Sequence, residues 1–421
     1  MNIVKRVSCR VCGSRALTPV IDLGAQMLAS AFVLDGSKLE LPQRKVPLEL
    51  VRCDPQLDEK ACGLVQLRHS FPKNLIYGNY GYASGVNQTM RDALAEITRR
   101  AQDFVKLDSG DIVVDIGAND GTLLRSYKVP GLDMIGFDPA RTVAQADEPF
   151  TRVVDFFNAE AFRRVRGADA RAKLITSIAM FYDLDEPADF MRDIASILHP
   201  DGVWVVQFAD LAGMLFTNMY DNICHEHVAY YHLAPFERLL ADVNLELVDV
   251  ELNDVNASSY RLFVRHRNGP PSAEEGLARV RARQITEFNM KLDDAEPYDS
   301  FRENVISSRY SLRYLLEFLK KEGKLVIGYG ASTKGNVILQ YCDITRDLVP
   351  YLADRNPRKH GGSTLGTDIP IISEEEARAM KPDYFLVLPY HFLPEMLKRE
   401  QEFVDRGGRF IVPVPTVQLI P

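Results

Sequence analysis

No run of eighteen apolar residues occurs in the chain, so no membrane-spanning helix is expected. The opening MNIVKRVSCRVCGS has no apolar h-region, and it predicts no secretory leader. Cysteine is scarce, with six in 421 residues. That number in so long a chain argues against a disulfide framework and for a reducing, cytoplasmic setting. Positive charge is in deficit: 50 Lys and Arg face 58 Asp and Glu, a formal −8 that argues against a nucleic-acid surface. Low-complexity segments and short repeats are missing, and 46% hydrophobic with 26% charged residues excludes a disordered chain. Histidine is also rare, at eight, yet three of the eight fall within YDNICHEHVAYYH, residues 220–232.

What is present reads as a multi-domain α/β protein of two to four domains. NQTMRDALAEITRRAQDFVKL has helical periodicity over about 86–107. DIVVDIGANDGTLL is an apolar strand running into a Gly-rich turn. Further strands are predicted at 133–138, 173–180 and 202–210, with an antiparallel pair closing the unit within 246–267. Helical stretches between the first strands predict a parallel sheet with crossover helices. NGPPS at 268–272 is a linker, 273–322 reads as helices broken near LDDAEPYDS, and a second α/β unit opens at KLVIGYGASTKGN. Its later strands are expected in LVPYLADRNPRKHG, DYFLVLPY and RFIVPVP.

Cys9-Arg-Val-Cys12-Gly is a knuckle that turns two thiolates toward one ion. Cys53 and Cys62-Gly63 supply a second half, and the charged insert DPQLDEKA between them must loop away. Four thiolates suit a closed, structural Zn²⁺ site; free, partly buried cysteines are the alternative.

In VVDIGANDGTLL, Asp115 ends the strand and Gly117, Asn119, Asp120 and Gly121 form the turn. Compared with G-x-G-x-x-G, the second Gly is absent and acids occupy the loop. Acids repel a pyrophosphate but suit the sulfonium and ammonium of S-adenosylmethionine (SAM); a dinucleotide site or a plain turn are the other readings. Asp138, after the next strand, stands where a carboxylate takes ribose hydroxyls, and Phe137, Asp155 and Phe156 could frame the adenine. The second turn, GYGASTKGN, is no P-loop. Gly330, Ser332, Thr333, Lys334 and Asn336 make an anion-friendly helix start suited to a pyrophosphate-bearing substrate, or else an ordinary strand-to-helix turn.

HEHVAYY is not H-E-x-x-H. His225 and His227 share a face if the segment is extended, but no third ligand stands at a metal-binding spacing. A general base oriented by Glu226 fits the residues better; core histidines remain the bland reading.

Together CRVCGS, CGLVQL, NYGYASGVNQ, VVDIGANDGTLL, KLITSIAMFYDLDEP, ICHEHVAYY, IGYGASTKGN and MKPDYFLVLPYH resemble the three-part SAM-dependent C-methyltransferases of deoxysugar biosynthesis, over essentially the whole chain. The resemblance implies a zinc-binding module (1–85), a SAM-binding Rossmann-like domain carrying the HEH segment (86–270) and a C-terminal Rossmann-like α/β domain that helps hold the nucleotide sugar (271–421). It implies a nucleotide-diphosphate 4-keto sugar as substrate, methylated at C3 rather than C5. His227 is then the base beside the ketone, Glu226 supports it, and Tyr80 or Tyr82 steadies the enolate oxygen. The sequence departs from the family at Cys224, where members carry Tyr, and at Phe181, where some have His nearby. It departs also at DVNASSYR, 254–261, a stretch usually richer in Gly. A zinc-containing RNA methyltransferase or nucleic-acid binder, and an epimerase on the same scaffold, are the competing readings. No nucleic-acid or membrane partner is expected, and a self-contained three-domain chain points to a monomer. The nucleotide is left open.

Overall fold

Three sheets organise the chain in the computed structural model, which describes residues 3–34, 44–77, 83–141, 148–255 and 258–421. The central sheet has seven strands. From one edge they are Leu245–Asn253, Ser259–His266, Leu198–Ala209, Ala172–Ile178, Ile112–Ile116, Asp133–Phe137 and Thr151–Val153. The last five are parallel to one another, and Ser259–His266 runs antiparallel between its two neighbours. Val113, Val114, Leu174, Ile175 and the run Val203–Val206 are all buried, because helices cover both faces; hence the unbroken apolar runs. The chain steps outward from Ile112–Ile116 to one side and then returns to build the other. The topological switch, where ligands settle at such sheets, therefore lies between Ile112–Ile116 and Ala172–Ile178.

The expected strands are all present. Leu198–Ala209 starts earlier than its apolar run because Leu198 pairs with Ala172 across a bulge. Thr151–Val153 was not foreseen, since three half-buried residues carry no periodicity. The helix expected at about 86–107 is Gln88–Ala101, and beyond it the chain relaxes into three-residue backbone turns.

The N-terminal sheet consists of Leu17–Gln26, Val46–Cys53 and Val65–Leu67, all antiparallel, and takes its fourth strand, Ala229–Tyr230, from the HEH segment. The C-terminal sheet runs Ile371–Ser373, Leu352–Asp354, Val326–Tyr329, Tyr384–Val387 and Arg409–Val412 in parallel, with Gln418–Ile420 antiparallel at its edge. Helices Glu274–Asn289 and Glu296–Lys321 lie between the two α/β units. One apolar core joins Leu23 of the first sheet, Tyr220 of the central unit, Leu312 of the long helix and Ile338 of the last unit. The three parts thus share a hydrophobic interior. No helix among the described residues is long and apolar enough to cross a membrane.

Candidate active site where three sheets meet

The sulfurs of Cys9, Cys12, Cys53 and Cys62 lie within 4.8 Å of one another, with Cys9–Cys62 at 3.5 Å and Cys12–Cys53 at 3.4 Å. Gly13 at φ +73° lets its N–H reach back to the Cys9 carbonyl, and the Val11 N–H faces the Cys9 sulfur, as a knuckle requires. Cys53 ends its strand, and the insert after it forms a turn closed by Asp58 N–H to Asp54 C=O and Ala61 N–H to Asp58 C=O. Tetrahedral Zn²⁺ at about 2.3 Å from each sulfur sets the sulfurs roughly 3.8 Å apart, so the donor set fits the metal. No fifth donor approaches among the described residues, which makes the site structural.

At the switch of the central sheet, Gly117, Asn119 and Gly121 all have positive φ and shape the turn. The Asp138 carboxylate sits over it, Oδ2 accepting from Asn119 N–H and Oδ1 from Ala140 N–H, each at 2.8 Å. Burial raises its pKa while those two bonds lower it. Each oxygen keeps a lone pair for a ribose hydroxyl. Met180 lies 3.3 Å from where a Gly117 Cβ would be, so a side chain there would crowd the cleft. Half-exposed Phe156 faces Tyr77 at 6.5 Å, and exposed Asp155 caps its own loop by accepting from Phe156 N–H. This cradle fits SAM.

Other residues of the turn have different duties. Asp115 is buried and accepts from the Thr176 hydroxyl at 2.6 Å; burial pushes its carboxyl up to about 7. Asn119 Oδ1 accepts from Ser84 N–H and Asp120 Oδ2 from Gly85 N–H, so these side chains tie down the segment before the helix Gln88–Ala101 rather than facing a ligand freely. A Cβ on Gly121 would lie 2.4 Å from Phe150, making this glycine a packing requirement. Phe137 corrects the sequence reading: alternation along its strand sends it into the core against Phe157, not over an adenine.

The HEH segment is an excursion closed at its base. Leu211 N–H bonds the Tyr231 carbonyl, and Asp210 caps the helix Leu211–Phe216 while Arg283 holds its carboxylate at 3.1 Å. The segment is then clamped from two sides, by Leu67 N–H to the Val228 carbonyl and Val228 N–H to the Tyr182 carbonyl. His227 Nδ1 lies 2.9 Å from the Asn222 carbonyl, which can only accept. Nδ1 therefore carries the proton and Nε2 presents a lone pair. The ring packs on Tyr182 at 4.3 Å. Burial and the Lys334 ammonium hold its pKa down to about 4, against a smaller upward pull from Glu226.

His225 lies elsewhere. Its Nε2 bonds the Val46 carbonyl of the N-terminal sheet, an anchor rather than a base. Among the described residues, both Glu226 carboxylate oxygens are buried without a hydrogen-bond partner, as are the Asn222 amide atoms, Asp221 Oδ2 and Asp183 Oδ1. Such a concentration of unmet polar atoms marks space for a polar ligand.

The anion-friendly turn opens on the same space. Ser332 Oγ caps the helix Thr333–Tyr341 by accepting from Gly335 N–H. Lys334 loses basicity through burial, opposed by Asp221 and Cys224, and its charge bears on both His227 and His391. Tyr390 donates to Asp221 Oδ1 at 3.1 Å, crossing from the C-terminal unit to the HEH segment. Gly330 is needed for packing, since a Cβ would lie 2.5 Å from Pro389. Asn336 is another correction: buried, it donates to the Ala29 carbonyl and locks the N-terminal part in place, so it does not face a substrate. Thr333 is half-buried at the helix start. Tyr80 and Tyr82 lie outside the described residues.

Of the three departures, Phe181 is fully buried among Trp204, Phe208 and Tyr231, so it leaves no gap in the site. Cys224 is buried beside Glu226 and Lys334. Sequence reasoning missed Asp221, Tyr390, His391 and Tyr182. All four lie inside stretches already singled out, but nothing in the sequence said that they meet.

Three family models match the chain: a zinc binding domain over residues 9–77, a methyltransferase domain over 85–250 and a C-methyltransferase C-terminal domain over 254–415. The C-methyltransferase NovU of Streptomyces niveus is 29% identical over 423 residues, spanning 100% of this chain and 98% of that protein. Among solved structures, the plantazolicin methyltransferase BpumL in complex with SAH is 12% identical and covers 42% of this chain and 84% of its own, at a TM-score of 0.34. The CcbJ methyltransferase from Streptomyces caelestis is 14% identical, with 42% and 88% coverage and a TM-score of 0.30. Likenesses at those TM-scores add nothing to the reading of the site.

Proposed function

The chain is a SAM-dependent C-methyltransferase of three-part build, and from that premise we propose that it methylates a nucleoside-diphosphate-linked 4-keto-deoxysugar at C3. The observation that carries this reading is the pairing of a neutral imidazole, its Nε2 lone pair free by tautomer, with the cationic turn of Lys334 in one recess. A carbon acid needs a base; a diphosphate needs a cation and a helix start.

His227 Nε2 takes the proton from the carbon beside the ketone, and the C–H electron pair passes into the enolate. Bound SAM supplies an electrophilic methyl, which the enolate carbon accepts as the S–CH₃ bond breaks and S-adenosylhomocysteine leaves. Glu226 stabilises the imidazolium formed at His227. Lys334 and the Thr333 helix start hold the diphosphate, while Asp221, aligned by Tyr390, accepts from a sugar hydroxyl. Tyr80 or Tyr82, by the family resemblance, steadies the enolate oxygen.

The test is mass spectrometry of a panel of 4-keto-6-deoxy nucleotide sugars incubated with enzyme and SAM in D₂O. A product heavier by one methyl, with S-adenosylhomocysteine released, supports the reading and names the nucleotide. Deuterium uptake without methyl gain points to an epimerase on this scaffold. No reaction with any sugar of the panel overturns the substrate class.

A further inference from the structure

The helix Glu296–Lys321 is apolar on two opposite sides. Phe301, Val305, Leu312, Leu316 and Leu319 turn into the core shared by the three parts. On the far side Ile306, Tyr310, Tyr314 and Phe318 follow one another at four-residue spacing and are 41%, 66%, 73% and 49% exposed. At about 100° per residue the four span roughly 120° of arc, centred opposite the buried face. Single exposed apolar residues are ordinary on a protein surface, but an apolar stripe three turns long marks an interaction face.

The ends of the stripe identify its occupant. Glu303 and Lys321 sit on its centre line, three residues outside its first and last apolar positions, and both are exposed. Arg302, Arg309, Arg313 and Lys320 all join intrachain ion pairs, whereas among the described residues Glu303 and Lys321 join none. One end is negative and the other positive, so the stripe is complementary to itself when reversed.

We propose that this face is the interface of a homodimer in which the helix packs antiparallel on the same helix of a second copy. With the two-fold axis beside Leu312, Ile306 faces Phe318 of the second copy and Tyr310 faces Tyr314. The same register sets Glu303 opposite Lys321 twice, once at each end. Parallel packing would instead set Glu303 on Glu303 and Lys321 on Lys321, so the charges select the antiparallel arrangement. The contact is isologous and closes on itself, as a two-fold dimer requires. The apolar residues supply the association, and the charges supply its direction. The monomer expected from sequence took no account of this face, because helical periodicity alone does not say which of two apolar faces is buried.

Sedimentation of the full chain over a wide concentration range tests the inference independently of any substrate. A species of about twice 47.5 kDa is expected. Tyr310→Glu with Tyr314→Glu should return it to one chain's mass while leaving SAM binding intact. Glu303→Lys alone sets like charges against each other and should raise the dimer Kd about ten-fold; adding Lys321→Glu to the same chain should restore it. One chain's mass at every concentration overturns the proposal, as does a dimer indifferent to the tyrosine substitutions. Absence of charge-reversal rescue overturns the antiparallel register.

Discussion

His227 donates its Nδ1 hydrogen to the carbonyl of Asn222 across 2.9 Å, and that single bond decides which ring nitrogen can act. The carbonyl belongs to the turn Tyr220–Asn222, on the same excursion as the histidine, so the imidazole is oriented by its own loop.

Replacing His227 by Asn keeps a hydrogen-bonding side chain but removes the base. Turnover should fall by about 10²–10⁴-fold, the usual weight of a positioned general base, with SAM affinity changed only a few-fold. Steady-state kinetics and calorimetry check both; undiminished turnover removes His227 from the role. Glu226→Gln should cost less, because it stabilises the imidazolium without touching the transferred proton.

The pH dependence follows from the same group. Burial and Lys334 hold the imidazole pKa at about 4 in the free enzyme, below its usual 6.5. The neutral form is the active one, so activity is present above the folded pKa and lost as pH falls through it. The acid limb of kcat/KM should therefore lie near 4; a limb at 6.5 would mean that the imidazole meets open solvent.

Lys334→Met should raise KM for the nucleotide sugar by about ten-fold or more, the weight of a charge-assisted hydrogen bond, while leaving SAM affinity alone. Tyr390→Phe should show a smaller effect in the same direction, because it only aligns Asp221. An unchanged KM for both would place the diphosphate elsewhere.

Asp138→Ala removes the acceptor for a ribose and leaves Asn119 N–H and Ala140 N–H without theirs. SAM binding measured by calorimetry should weaken by roughly ten-fold or more. Normal affinity would show that the carboxylate is only a loop clamp.

Metal analysis should find one zinc per chain. Chelation under denaturing conditions should leave a chain that refolds poorly and recovers on adding Zn²⁺, since the site closes the loop from Cys9 to Cys62. Refolding that is indifferent to zinc would return the four cysteines to free thiols.

Much of this protein was legible in its sequence because the signals are local. Apolar runs in a sheet covered on both faces announced the strands from Ile112 to Ala209 except Thr151–Val153, and the Cys-x-x-Cys-Gly knuckle announced its own turn. The stretch HEH announced chemistry through residue type alone. Other readings failed where a side chain's direction was at issue. Asn336 and Phe137 lie at the right positions in the chain, yet one holds Ala29 and the other fills the core.

The sequence by itself thus determined most strands of the two α/β units, the four cysteines of the zinc module and the residue types of the HEH segment, since each depends on neighbours a few residues away. Only the tertiary structure decided how the two neighbouring histidines are held. His225 and His227 are two residues apart, and what separates them is that one meets Val46 of the first sheet and the other meets Tyr182 in the turn that follows the strand Ala172–Ile178. Lys334 then arrives from the first turn of the helix Thr333–Tyr341 in the C-terminal unit to set the electrostatics of the recess. Those contacts join residues up to hundreds of positions apart, and burial in the interior they share gives each its partner and its protonation state.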